Sequence, residues 1–172
     1  PLTISDSIFS NNHADEYGGG LGFQDHADDT VLISNSTFDN NSALWDGGGI
    51  HFSGKQMYVN SSTIQNNTAV NGAGIHNGLA TVTRYLIRDN TTLTLTSTTV
   101  QENNASGNGG GFFNEGIMTC GESDFVANQS SVLGGGIHNT GSIEILGCTF
   151  DKNKTGDDGG GINNIEIAEI RG

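Results

Sequence analysis

Apolar and polar positions alternate in short runs along the whole chain, and the runs recur in register. Aligned on Phe9, Phe38, Ile64, Val100, Phe125 and Phe150, six segments share one layout. Seven positions before the anchor stand Leu2, Val31, Met57, Leu93, Met118 and Ile143. Five before stand Ile4, Ile33, Val59, Leu95, Cys120 and Ile145. Two before stand Ser7, Ser36, Ser62, Thr98, Ser123 and Cys148. Five after come Ala14, Ala43, Ala69, Ala105, Ser130 and Thr155. Residues between these columns are mostly polar. Period-two alternation in short stretches predicts strands with one buried face. A helix needs apolar spacings of three and four, and no segment sustains them.

Two further columns punctuate the pattern. Asn12, Asn41, Asn67, Asn103, Asn128 and Asn153 lie three residues after the anchors. Glycine triplets begin at Gly18, Gly47, Gly72, Gly109, Gly134 and Gly159; the third reads Gly-Ala-Gly. Leu21, Ile50, Ile75, Phe112, Ile137 and Ile162 follow the glycines, and Asn77, Asn114, Asn139 and Asn164 stand two residues further on. Phe23 and Phe52 occupy that last column in the first two copies, so its character changes from aromatic to amide along the chain. Self-similarity at a fixed period is the mark of a solenoid. A unit of about 25 residues, read as three short strands and three turns, cannot bury its inner face alone. Stacked units can, each pairing with its neighbours at about 4.8 Å. The expected fold is all-β, a parallel β-helix of about six coils spanning residues 1–172 as one domain. Asparagines repeated at one height are expected to bond one another and the turn backbone in a ladder.

Composition fits a stacked rather than a layered core. Glycine supplies 27 of 172 residues, proline one, and the formal net charge is −13. So acidic a chain lacks the clustered Lys and Arg that phosphate binding requires, which argues against nucleic acid as a partner. No apolar run approaches the roughly 18 residues of a membrane-spanning helix.

The combination F-x-x-N followed by G-G-G-I, quoted in full as STFDNNSALWDGGGIHF (36–52) and CTFDKNKTGDDGGGINN (148–164), resembles the repeats of polymorphic outer membrane proteins and related right-handed β-helix surface proteins of bacteria. The resemblance runs over nearly the whole chain. It implies a right-handed helix, an extracellular or cell-surface location, and an adhesive or structural role. The handedness agrees with the rule for parallel crossovers. The resemblance includes no autotransporter barrel or anchor.

Candidate chemistry is sparse. Polysaccharide cleavage, the pectate lyase-like alternative, wants carboxylates converging on one outer face, often with bound Ca²⁺. Glu122 and Asp124 are read as sharing an outward strand face, without a second acidic layer beside them; Asp39 and Asp151 share a column but lie four coils apart. His51, His76 and His138 form an outward column, read as exposed strand residues; two adjacent histidines make an incomplete zinc site. Asp157 and Asp158 suggest Ca²⁺, but the equivalent positions in the fourth and fifth copies read Ser-Gly-Asn and Ser-Val-Leu. Thr37, Thr63, Thr99 and Thr149 give an outward threonine column, interrupted by Asp124, and with it a remote ice-binding alternative. No catalytic, cofactor-binding or metal-binding residue is assigned, and no cofactor is expected.

An insertion, Gly78–Thr92, carries Arg84 and Arg88 and is read either as a binding protrusion or as a local packing element. Tyr17 and Trp45 precede their glycines, where they can stack on a glycan or fold back onto the coil. N-x-S/T sequons fall at Asn35, Asn40, Asn60, Asn66, Asn90, Asn104, Asn128 and Asn153, the last two blocked by their ladder positions. Cys120 and Cys148 sit in different inward columns of adjacent coils and are read as buried free thiols, with a disulfide between them as the alternative, which would support an oxidising compartment. Leu2 and Ile4 belong to the inward columns of the first coil, and at the other end Ile165, Ile167 and Ile170 lie on another alternating strand. The expectation is that the solenoid continues axially, in a longer chain or through self-association of copies at their ends. The expected function is a non-enzymatic extracellular β-helix, a surface adhesin stalk or filament building block.

Overall fold

The computed structural model describes residues 1–24, 30–78, 91–165 and 168–171. Its strands stack coil upon coil as a parallel β-solenoid of about 6 coils, about 26 residues per turn. Among the described residues they form four parallel sheets, of seven, six, six and six strands. The fifth coil shows the plan: strands Ile117–Gly121, Asp124–Val126, Gln129–Ser130 and Ile137–Asn139. Each coil thus has four strands where the pattern predicts three. The additional one is the two-residue strand carrying the alanine column, too short to show alternation.

The register is that of the sequence columns. Ile64 lies between Phe38 and Val100, and Val100 beside Phe125. Leu95 lies between Val59 and Cys120, and Ile75 between Ile50 and Phe112. These side chains fill one apolar core along the axis. Phe9 stacks on Phe38 at 4.7 Å and Phe125 on Phe150 at 5.0 Å between ring centroids. A slip of one residue would turn every such side chain outward, so burial pins the register.

Three of the junctions between strands in each coil are corners that take one left-handed residue. The first-corner column is Asp6, Asn35, Ser61, Ser97, Glu122 and Gly147, with φ between 48 and 62°. The second is Asn11, Asn40, Asn66, Glu102, Ala127 and Lys152, with φ between 53 and 57°. The third is the first glycine of every triplet. Left-handed backbone costs an L-residue roughly 1–2 kcal/mol, least for Asn and Asp, which explains the polar first two columns. Only the third is invariably glycine, because there a side chain would also collide. A Cβ on Gly47 would lie 2.7 Å from both Cα and Cβ of His51.

Candidate functional site

Two polar columns run inside the corners. In the first, each asparagine amide donates to the Oδ1 of the next coil: Asn41 to Asn67 (3.1 Å), Asn67 to Asn103 (3.0 Å), Asn103 to Asn128 (2.9 Å) and Asn128 to Asn153 (3.0 Å). The same amide donates back to the anchor carbonyl of the preceding coil, as Asn128 does to Val100 O at 2.8 Å. The same Oδ1 accepts the backbone N–H of the neighbouring asparagine. The ladder therefore satisfies backbone groups that a sharp corner removes from the sheet.

The second column is the hydroxyl set, whose task its sequence position does not disclose. Ser36, Ser62 and Ser123 each donate to the carbonyl two residues back, at 2.7–2.8 Å. Each accepts a backbone N–H from the preceding coil, as from Ser7, Ser36 and Thr98. The amide column after the glycines is also linked: Asn77 to Asn114 at 2.8 Å, Asn114 to Asn139 at 2.6 Å and Asn139 to Asn164 at 2.7 Å. Phe23 and Phe52 stack at 5.8 Å at its aromatic end.

The histidine column departs from its expected exposure. His51 and His76 are fully buried and His138 is 3% exposed. They form a continuous row of ring contacts with Tyr17 and Phe113, centroids 4.9–5.1 Å apart, with His51 and His76 stacked and His76 edge-on to Phe113. The first glycine of a triplet packs close against this outer face, a Cβ on Gly72 meeting His76 Cα at 3.0 Å, and Tyr17 from ahead of the first triplet covers His51. The Nδ1 atoms of His51 and His76 lie 3.2 Å apart, His76 Nε2 lies 3.6 Å from Glu115, and His138 Nδ1 lies 2.9 Å from Asn163 Oδ1. Burial, reinforced by His76, lowers the His51 pKa to about 3, against the pull of Asp46. Burial also lowers that of His138, against its bond to Asn163. Burial thus favours the neutral form of His51 and His138. Among the described residues no three His, Cys, Asp or Glu side chains come together as a metal site.

The carboxylates of interest do not converge. Glu122 is not on a strand face: it is the left-handed residue of a first corner, φ 48°, and exposed. Asp124 begins the next strand, between Thr99 and Thr149. Asp39 is tied into the outer amide network, accepting from Gln65 (3.1 Å) and Asn66 (2.8 Å). Asp151 pairs with Lys152 at 3.1 Å, an exposed contact worth little. Asp157 and Asp158 are exposed. Thr37, Thr63 and Thr99 are aligned in register, with Asp124 and then Thr149 after them.

Tyr17 folds onto His51, whereas Trp45 stays 53% exposed beside exposed Leu44. Sequon residues Asn35, Asn40, Asn60, Asn66 and Asn104 are exposed, while Asn128 is buried in the ladder. Asn90, Arg84 and Arg88, and with them most of the Gly78–Thr92 insertion, lie outside the described residues. The flanks of that insertion are held by the preceding coil: Gly78 N–H donates to Phe52 O and Thr92 N–H to Lys55 O, each at 3.0 Å. Cys120 and Cys148 are free; Cys120 is buried in the core and Cys148 packs half-buried against it.

Residues 6–24 and 35–53 match the model of the Chlamydia polymorphic membrane protein (Chlamydia_PMP) repeat. Each matched segment runs from the first corner of a coil through the asparagine corner and the glycine triplet into the strand after it. The comparisons with curated proteins and with solved structures return no match. The matched segments lie in the first two coils, and the same columns continue through the remaining four, so this chain is a parallel β-helix repeat protein whose first two coils are similar to that repeat.

Proposed function

We propose that the chain is a non-enzymatic, surface-associated β-helix that serves as an adhesive or structural stalk at the extracellular or cell surface. The observation that carries this reading is where the polar side chains go. The buried asparagines and hydroxyls hold one coil to the next, and the buried histidines pack in a ring stack. Glu122 sits at a corner and Asp124 lies between two threonines. Such a molecule is a rod whose outer faces display exposed loops and strand residues. The repeat match supports a surface setting, because the repeat that fits is that of a membrane protein.

The test has two arms. Purified chain is incubated with pectin, alginate and chondroitin, and the reducing ends or unsaturated products are followed. Labelled chain is applied to intact cells, with an unrelated acidic β-protein as control. The proposal expects no depolymerisation and saturable cell binding. Depolymerisation that is lost in Glu122→Gln or Asp124→Asn would replace it with the lyase-like reading. Absence of saturable binding to every cell type tried would remove the adhesive role.

A further inference from the structure

Sulfur interrupts two of the inward columns, and does so in adjacent coils. Cys120 continues the column of Val59 and Leu95, and pairs in register with Ile145. Cys148 continues the hydroxyl column of Ser62, Thr98 and Ser123, three residues after Ile145 in the next coil. Thr98 and Val59 stand in the same relation, one coil apart. There the Thr98 hydroxyl reaches across to the Val59 carbonyl at 3.5 Å. The corner thus brings the second of these columns back over the first. Both sulfurs pack in the same apolar cluster, and the two thiols lie close enough to influence each other's ionisation. Cys148 also reaches Leu146 O at 3.8 Å.

We propose that Cys120 and Cys148 are a disulfide-forming pair that staples the fifth coil to the sixth when the chain meets a disulfide oxidant. The two thiols are unlike. Burial disfavours the thiolate of Cys120, whereas Cys148 is open to solvent on one side. Cys148, the half-buried one, is therefore the sulfur that attacks. Its thiolate displaces one thiolate from the oxidant's disulfide and leaves a mixed disulfide on Cys148. Cys120 then loses its proton and attacks the Cys148 sulfur, expelling the second thiolate. One intramolecular S–S bond forms and the oxidant's S–S bond breaks. The oxidant, a small-molecule or oxidoreductase disulfide, takes up two electrons and two protons. Closing the chain between these coils restricts the unfolded state and so stabilises the fold.

Oxidised glutathione supplies the test. The folded, reduced 172-residue chain is incubated with it, quenched in acid, and analysed by thiol titration in denaturant, intact mass and peptide mapping. The expected result is loss of both thiols, a monomer lighter by two hydrogen atoms, and a peptide joining Cys120 to Cys148. Melting should rise by about 5–10 °C, and a reductant should reverse it. Two surviving thiols, glutathione on both cysteines, or covalent dimers would each overturn the proposal. Cys120→Ser and Cys148→Ser should show no oxidation-dependent rise in melting; a rise in either would also overturn it. If a variant fails to fold, the thiol count and peptide map of the unaltered chain decide alone.

Discussion

Replacing Asn128 by alanine removes one rung of the inner ladder from the middle of the solenoid. The side chain is fully buried. It donates to Val100 O at 2.8 Å and to Asn153 Oδ1 at 3.0 Å, and accepts from Asn103 N at 3.2 Å and Asn103 Nδ2 at 2.9 Å. Two of these partners keep a second bond: Asn103 Nδ2 to Ile64 O, and Asn153 Oδ1 from the Asn128 N–H. The Asn103 N–H loses its side-chain acceptor, and the Val100 carbonyl loses its amide donor. One buried group left unsatisfied costs about 1–3 kcal/mol, and the N–H dominates because a carbonyl tolerates under-satisfaction better. We expect about 2–3 kcal/mol in all, a fall in Tm of about 4–12 °C for a chain of this length. Glu102→Ala is the control: it is exposed and already left-handed at φ 54°, so alanine inherits the same strain. It should stay within about 0.5 kcal/mol. Scanning calorimetry and urea titration of both variants measure the difference. Equal shifts would refute the view that inward amides, rather than apolar stacking alone, hold the coils.

Acid should weaken the fold through the buried histidine stack. His51 is held neutral to about pH 3, while the unfolded chain takes its proton near 6.5, so the unfolded state binds more protons across that window. Stability should fall as pH drops from 6.5, by about 1.4 kcal/mol per unit for this one group. His51→Phe, which copies the Phe113 of the same column, should flatten the slope of unfolding free energy against pH by about one proton; an unchanged slope would refute the assignment. Ala127→Asn should stabilise by about 0.5–1 kcal/mol, because φ 53° there suits the asparagine that three other copies carry. Urea midpoints would show it, and a loss of stability would contradict the corner analysis. Replacing residues 79–90 by a short turn should leave a β-type circular dichroism spectrum, since Gly78 and Thr92 keep their bonds to the preceding coil; a random-coil spectrum would show that the insertion belongs to the core.

Much of this was legible in the sequence because a solenoid writes its contacts as columns. Phe38, Ile64 and Val100 are neighbours in space because they are equivalent in the repeat. The asparagine ladder was legible for the same reason. What the columns do not encode is which side of a strand gets covered. His51 alternates with Ile50 and so reads as outward. Only the fold shows that the preceding loop closes over it, since that depends on how near a glycine lets the backbone come. Glu122 is a similar case. Spacing places it on a strand with Asp124, but Glu122 is itself the left-handed corner that separates one strand from the next. The hydroxyl column was visible, but its role was not, because a serine bonding its own chain and its neighbour looks like any small inward residue.

A crystal structure of the chain that resolves the side-chain amides tests the stacking most directly. It should show Asn41, Asn67, Asn103 and Asn128 at one corner of successive coils, each amide nitrogen about 3 Å from the next Oδ1, with Phe38, Ile64 and Val100 aligned beneath them. Asparagines turned to solvent, or Ile64 paired with residues other than Phe38 and Val100, would contradict it.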